Sequence, residues 1–71
     1  MTASTESLGG VGRAVRDARR ERKWSQTKLG HEAGVSRPTI ARIERGDDVS
    51  VATLAKVTAA VGLTVRIEAS A

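Results

Sequence analysis

The stretch QTKLGHEAGVSRPTIARIER, residues 26–45, decides the fold, because one glycine separates two short amphipathic segments within it. Its apolar positions recur at helical spacing on both sides of that glycine: Leu29, Ala33, Val35, Ile40 and Ile43. Gly34 can take the left-handed conformation that a sharp turn between helices needs. The stretch therefore predicts two short helices whose apolar stripes face each other while their polar side chains point outward.

A short pattern occurs three times along the chain and predicts the starts of three helices. Each copy has an apolar residue, then Ser, then another apolar residue four positions later: Trp24-Ser25 with Leu29, Val35-Ser36 with Ile40, and Val49-Ser50 with Leu54. A serine at the N-cap accepts a bond from an amide near N3, and the flanking apolar pair forms a hydrophobic staple. We therefore expect helices from Gln26 to Ala33, from the residue after Ser36 to Gly46, and from Val51 to Val61.

Three further features complete the helical part. Apolar residues at helical spacing predict a first helix from about Val11 to Lys23, preceded by a disordered tail over residues 1–8. In the fourth helix one face carries Val51, Leu54, Val57 and Val61, and Gly62 is expected to end it. Gly30 lies inside the second helix, where glycine costs about 1 kcal/mol relative to alanine, so we expect the third helix to approach closely there.

The period of the sequence changes after Gly62. Residues 63–68, LTVRIE, alternate apolar and polar positions and predict one strand, with Leu63, Val65 and Ile67 on its apolar face. A lone strand leaves its amides and carbonyls unpaired, so we expect antiparallel pairing with a second copy across a two-fold axis, and a short tail over 69–71. The alternative is an extended tail that packs loosely on the fourth helix.

Composition limits the function classes. The chain has 71 residues, no cysteine and one histidine, His31, so the ligands or bases of a zinc site or a catalytic triad are missing. We therefore expect a single small domain that is not an enzyme and has no cofactor or metal. No apolar run approaches the ~20 residues of a membrane span, and no signal-peptide pattern opens the chain, so we expect a cytoplasmic protein with no membrane partner.

The charge is unevenly distributed along the chain. Residues 13–45 contain ten Lys or Arg against four Asp or Glu, a net charge of +6, whereas the whole chain carries +4. A basic half beside an acidic remainder is typical of a nucleic-acid-binding surface. The alternative is an ordinary solvated basic helix.

The region from Val15 to Val61 resembles the Cro/repressor-type helix-turn-helix of the XRE family, through W-S-Q-x-x-L-G, A-G-V-S-R-P-T-I and I-E-R-G. The resemblance implies a mainly α, lambda-repressor-like domain over residues 9–62, with four to five elements and the third helix in the major groove of double-stranded DNA. The strand-like segment over 63–68 is similar to that of HipB-type antitoxins, in which a C-terminal strand pairs between protomers.

The resemblance also implies roles for individual residues. Arg37, Pro38 and Arg42 take base-contacting positions, and an arginine can donate two bonds to guanine O6 and N7. The positions expected to contact phosphates are Gln26, Lys28, Ser36, Thr39 and Arg45. Arg19 and Glu44 match a pair that links the first and third helices internally, and we expect Trp24 to lie in the core. Asp47 and Asp48 fit DNA binding least well, because acids in that loop would repel phosphate.

We therefore expect a homodimeric, sequence-specific repressor on a palindromic operator with half-sites about one helical turn apart. Autoregulation of a toxin–antitoxin operon is the first biological setting, and it implies a toxin protein as a further partner. A phage-type or general transcriptional regulator is the second setting. The alternative from another class is a protein-interaction module of the same fold without strong DNA binding.

Overall fold

The computed structural model describes residues 7–63, which form four α-helices: α1 (Ser7–Glu21), α2 (Gln26–Ala33), α3 (Arg37–Arg45) and α4 (Val51–Ala60). The observed bounds of α2, α3 and α4 lie within one residue of those the serines and glycines predict. Residues 7–63 contain no strand. The predicted strand lies outside the described residues except for Leu63, so pairing through Val65 and Ile67 stays a prediction.

All three predicted N-caps are confirmed. The serine hydroxyl oxygens accept bonds from backbone amides three residues on: Ser25 from Lys28 at 2.9 Å, Ser36 from Thr39 at 3.2 Å, and Ser50 from Thr53 at 3.1 Å. The apolar residue before each serine packs against the core, and its staple partner is buried. These local bonds explain why the helix starts are readable from the sequence.

The ends of α2, α3 and α4 share one geometry. Gly34, Gly46 and Gly62 have φ of 75°, 91° and 78°. The amide after each glycine returns to a carbonyl in the last helical turn: Val35 to Gly30 at 2.9 Å, Asp47 to Arg42 at 2.9 Å, and Leu63 to Thr58 at 2.8 Å. This closure needs a left-handed residue, which glycine supplies without steric cost. Leu63 itself is half-buried against the core of its own chain.

Helix α1 differs from its predicted bounds at both ends. It begins at Ser7, so residues 7 and 8 belong to the helix and not to the expected tail. It ends at Glu21 because Lys23 adopts φ 60° and lets the Trp24 amide bond to the Arg19 carbonyl at 3.1 Å. The closure is the same as in the other helices, but a lysine takes the left-handed position. The sequence does not indicate this helix end, because lysine is unfavourable in the left-handed conformation.

The core forms where α3 packs against both α1 and α2 and where α2 packs against α4. Its buried members are Val15, Ala18, Leu29, Ile40, Ile43, Leu54, Val57 and Val61. The prediction that Val51 belongs to this face is wrong, because its side chain is 60% exposed. Val51 is the first residue of α4, and helical side chains tilt toward the N-terminus, so this one projects past the helix end.

Two glycines permit close backbone contacts. A Cβ on Gly12 would collide with the Ile43 carbonyl oxygen and lie 3.2 Å from that of Glu44, so α1 can approach the end of α3 only at a glycine. A Cβ on Gly30 would lie 2.7 Å from the Val35 carbonyl oxygen. The close approach predicted at Gly30 therefore exists, but the turn leading into α3 makes it and not the body of that helix.

Candidate nucleic-acid interface

Helix α3 exposes the three residues predicted to contact bases. Ile40 and Ile43 are buried and fix one side of the helix against the core. An α-helix turns by about 100° per residue, so an arc of about 140° on the other side of α3 contains Arg37, Pro38 and Arg42. All three are exposed. The burial of α3 therefore leaves two arginines on one solvent-facing surface, as reading a major groove requires.

The loop after α3 holds two of its arginines. Arg42 donates through Nη2 to the Asp48 carbonyl oxygen at 3.3 Å. Arg45, predicted to contact phosphate, donates to Oδ2 of Asp47 from Nη2 at 2.7 Å and from Nε at 3.1 Å. The Arg45 and Asp47 side chains are 63% and 46% exposed, so this bond is open to water and to competing anions. Asp47 therefore neutralises the charge of Arg45 in the unbound protein.

The hydroxyls of Ser36 and Thr39 form a pair at the start of α3. Their oxygens lie 2.9 Å apart, and either can donate to the other. Each hydroxyl has one proton, so one proton of the pair stays available to an outside acceptor. Phosphate contacts are predicted at both Ser36 and Thr39, but their hydroxyls can together donate only one proton to a phosphate.

The start of α2 carries the other predicted phosphate contacts. Gln26 donates one side-chain amide proton to Glu44 at 3.2 Å, which fixes its position beside α3. Lys28 lies 3.0 Å from Glu32, and both side chains are exposed. The hydrogen bond from Lys28 holds the pKa of Glu32 below its ordinary value. Gln26 is thus positioned by the fold, whereas Lys28 is held only by an exposed pair on its own helix.

The predicted internal pair between Arg19 and Glu44 is present. Arg19 donates to Glu44 from Nε at 2.7 Å and from Nη2 at 3.0 Å, and from Nη1 to the Trp24 carbonyl oxygen at 2.8 Å. The side chains of Arg19 and Glu44 are only 11% and 5% exposed. The bond to Glu44 raises the pKa of Arg19 above its ordinary value. The pair thus joins α1 to α3 and fixes the chain leaving α1.

Trp24 is a core residue, as predicted. Its side chain is half-buried and packs against the hydrophobic core. The Arg22 guanidinium carbon lies 5.5 Å from the ring centroid, and Lys28 Nζ lies 5.8 Å from it. The ring therefore has its contacts within its own chain, with the core and with these two cations.

Two arginines of α1 lie beside this surface, although the sequence predicts no role for them. Arg16 and Arg20 line a depression of about 400 Å³, together with residues of α2 and α3 that include Gln26 and Arg45. They stand one helical turn apart on the polar face of α1, a spacing the sequence does display. The packing of α1 against α3 brings them beside the start of α2, and no local pattern predicts that.

Fold and surface together define a helix-turn-helix DNA-binding domain, with α2 and α3 as the paired helices. In a comparison with protein families, the helix-turn-helix model matches residues 15–67, most of the chain. The chain therefore belongs to the helix-turn-helix family, in its XRE group, and is of the class of DNA-binding transcriptional regulators. No curated protein matches the sequence. Among the described helices, none is long and apolar enough to cross a membrane.

Proposed function

We propose that the protein is a homodimeric, sequence-specific repressor that reads a palindromic operator through α3. The observation that carries this proposal is the exposure of Arg37 and Arg42 on one side of a helix whose other side is buried. Each arginine can bond guanine O6 and N7, worth about 1 to 3 kcal/mol of discrimination per contact. We therefore expect guanines at fixed positions in each half-site, with Pro38 against a neighbouring base.

Phosphate contacts on both sides of α3 complete the proposed interface. The one hydroxyl proton that the Ser36–Thr39 pair leaves available lies at the start of α3, and Gln26, at the start of α2, lies beside the end of α3. Unpaired amides at a helix start favour an anion, which assists Gln26. Lys28 and Arg45 contribute once a phosphate displaces Glu32 and Asp47 from them.

The small area of DNA that one protomer can contact supports the proposed homodimer. One recognition helix contacts only a few base pairs, and repressors of this fold gain affinity by placing two copies on half-sites about one turn apart. The segment with Leu63, Val65 and Ile67 is the proposed pairing strand. Leu63 also packs on the core of its own chain, so the proposed pairing depends mainly on Val65 and Ile67.

The proposed setting is autoregulation of a toxin–antitoxin operon in the cytoplasm, with a toxin as second partner and no catalytic role for this chain. The similarity of the C-terminal segment to HipB-type antitoxins supports it. A phage-type or general regulator would use the same DNA interface. A kinase-like or nuclease-like neighbouring reading frame would favour the antitoxin setting.

Selection of binding sites tests the DNA proposal directly. Sites are selected from random duplex DNA with the wild-type protein, and the affinity of Arg37→Ala and Arg42→Ala for them is measured by fluorescence anisotropy. Each substitution should weaken binding by about 1 to 3 kcal/mol with unchanged helical circular dichroism. Lys56→Ala, which removes an equal charge from α4, should change affinity little. Equal losses in all three variants would overturn the assignment of α3 as the reading helix.

A second candidate function, a protein-interaction module of the same fold, is favoured by one observation. Asp47 neutralises Arg45 and would repel phosphate, which weakens a DNA surface. The salt dependence of DNA affinity separates the two functions, because releasing counterions from several phosphates makes affinity fall steeply with salt. A flat dependence, with no enriched sequence in the selection, would favour the interaction module.

Removing residues 64–71 tests the homodimer while keeping Leu63 on the core. The truncated protein should sediment as a monomer and lose affinity for a two-half-site operator, since each protomer then binds alone. Its affinity for a single half-site should stay close to that of the full chain. A truncated chain that still sediments as a dimer would overturn the strand-pairing proposal.

A further inference from the structure

The depression between α1 and α3, which we call the α1 pocket, is strongly basic. Its lining residues are Arg16, Arg19, Arg20, Gln26, Ala41, Glu44 and Arg45, and its volume is about 400 Å³. Four of these residues are arginines and one is an acid. A concave surface with such an excess of one charge concentrates ions of the opposite sign.

The single acid of the pocket is already fully engaged. One oxygen of Glu44 accepts from Arg19 Nε, and the other accepts from Arg19 Nη2 and from Gln26. Arg45 has an exposed partner in Asp47. Within residues 7–63, no ion pair includes Arg16 or Arg20. The pocket therefore holds two guanidinium groups that no described carboxylate neutralises.

Arg16 provides the second observation. Its Nε is buried and has no hydrogen-bond partner within the described part of the chain. Buried polar groups nearly always have a partner, so an unpaired one calls for an explanation, and a bound ion is one of those known. Arg16 lines the pocket, and a change of its side-chain rotamer would turn this nitrogen toward an anion there.

We propose that the α1 pocket binds a phosphate group, with Arg16 Nε and the Arg20 guanidinium as its main donors. Arginine suits this ligand because its planar array of N–H groups matches phosphate oxygens in pairs. The phosphate belongs either to the DNA backbone or to a free phosphate compound. The DNA source rests on the proposed function and adds α1 as a third helix of the interface, whereas the free source does not need DNA binding.

Pyrophosphate is a suitable probe, measured by NMR on ¹⁵N-labelled full-length protein at constant ionic strength. The Nε–Hε signals of Arg16 and Arg20 should shift and saturate, while that of Arg22, which is exposed beside Trp24 and does not line the pocket, should not. Shifts that never saturate, or that are equal at Arg22, would overturn the proposal because they indicate only diffuse attraction.

Two variants test the named donors. Arg16→Lys keeps the charge but removes Nε, and it should weaken pyrophosphate binding about tenfold, the loss of one charge-assisted hydrogen bond. Arg20 is exposed, so Arg20→Gln should keep the fold and weaken binding by a similar factor. The matched controls Arg22→Lys and Arg22→Gln, outside the pocket lining, should leave it unchanged. If the Arg16→Lys protein is folded, and both it and the Arg20→Gln protein bind pyrophosphate as tightly as the wild type, the proposal is wrong.

Salt titration of DNA binding distinguishes the two sources of phosphate. If the phosphate belongs to DNA, Arg20→Gln should lower the slope of log affinity against log salt by about 1, and Arg22→Gln should not. An unchanged slope with saturable pyrophosphate binding assigns the pocket to a free phosphate compound. A wild-type protein that binds pyrophosphate but no DNA would refute the proposed function and leave the pocket standing.

Discussion

Two arginine–carboxylate pairs at the end of α3 have similar distances and opposite consequences. Arg19–Glu44 and Arg45–Asp47 each have a shortest N–O distance of 2.7 Å. The first pair joins α1 to α3 and is almost buried, whereas the second joins α3 to its own following loop and is about half exposed. Burial, more than distance, separates a pair that holds the fold from one that water and other ions can open.

The physical reason is the cost of returning each group to water. A buried charge that loses its partner stays in a poorly solvated place, so breaking the pair destabilises the fold by several kcal/mol. An exposed pair is worth about 0 to 1 kcal/mol, because water replaces either partner. A phosphate can therefore replace Asp47 at Arg45, while nothing can replace Glu44 at Arg19 without disturbing the junction of α1 with α3.

The largest expected effect comes from breaking the buried pair. Glu44→Ala should lower the free energy of unfolding by about 3 kcal/mol, since it leaves Arg19 buried without its carboxylate. Urea denaturation followed by circular dichroism measures this loss. The double variant Arg19→Met/Glu44→Leu should recover part of it, because no unpaired charge remains although the Trp24 carbonyl loses its donor. A loss below about 0.5 kcal/mol for Glu44→Ala would place this pair in the same class as the exposed one.

The second effect tests the backbone contact beside that pair. Gly12→Ala places a Cβ against the Ile43 carbonyl oxygen, so α1 must move away from α3, and stability should fall by about 2 kcal/mol. Gly10→Ala is the matched control, because a Cβ there meets nothing within 4 Å. It should stabilise the protein by about 0.5 to 1 kcal/mol, since alanine favours a helix interior. Equal thermal stability of the two variants would contradict the close contact at Gly12.

The smallest effect concerns the exposed pair. Asp47→Asn should leave stability within about 0.5 kcal/mol of the wild type. It frees Arg45, so affinity for random duplex DNA should rise severalfold and the salt slope should increase by about 1. Asp17→Asn makes the same charge change on the exposed face of α1 and should alter the slope less. Identical slopes for the two variants would show that net charge, and not release of Arg45, governs the affinity.

The sequence predicted those elements whose causes are local. Ser36 accepts from the amide three residues ahead, and Gly46 allows the closing bond at the helix end, so both act within one turn of chain. Arg19 and Glu44 were paired from the family resemblance and not from spacing, because 25 residues separate them. Lys23 takes the left-handed position usually occupied by glycine, and for that reason the helical pattern predicts an end of α1 two residues beyond the observed one.

The sequence alone determined the helix-turn-helix, the polarity of α3 and the identity of the residues on its exposed side, since capping and 3.6-residue periodicity act over short distances. The tertiary structure decided which charges are free. The docking of α1 on α3 through Gly12 buries Glu44 against Arg19 and brings Arg16 and Arg20 beside Gln26. The conformation of the loop after α3 brings the Asp47 carboxylate into contact with the Arg45 guanidinium. Residues in these contacts are far apart in the chain, or their contact depends on the orientation of a side chain. Both the approach of distant residues and the side-chain orientation are set by the packing of the folded protein.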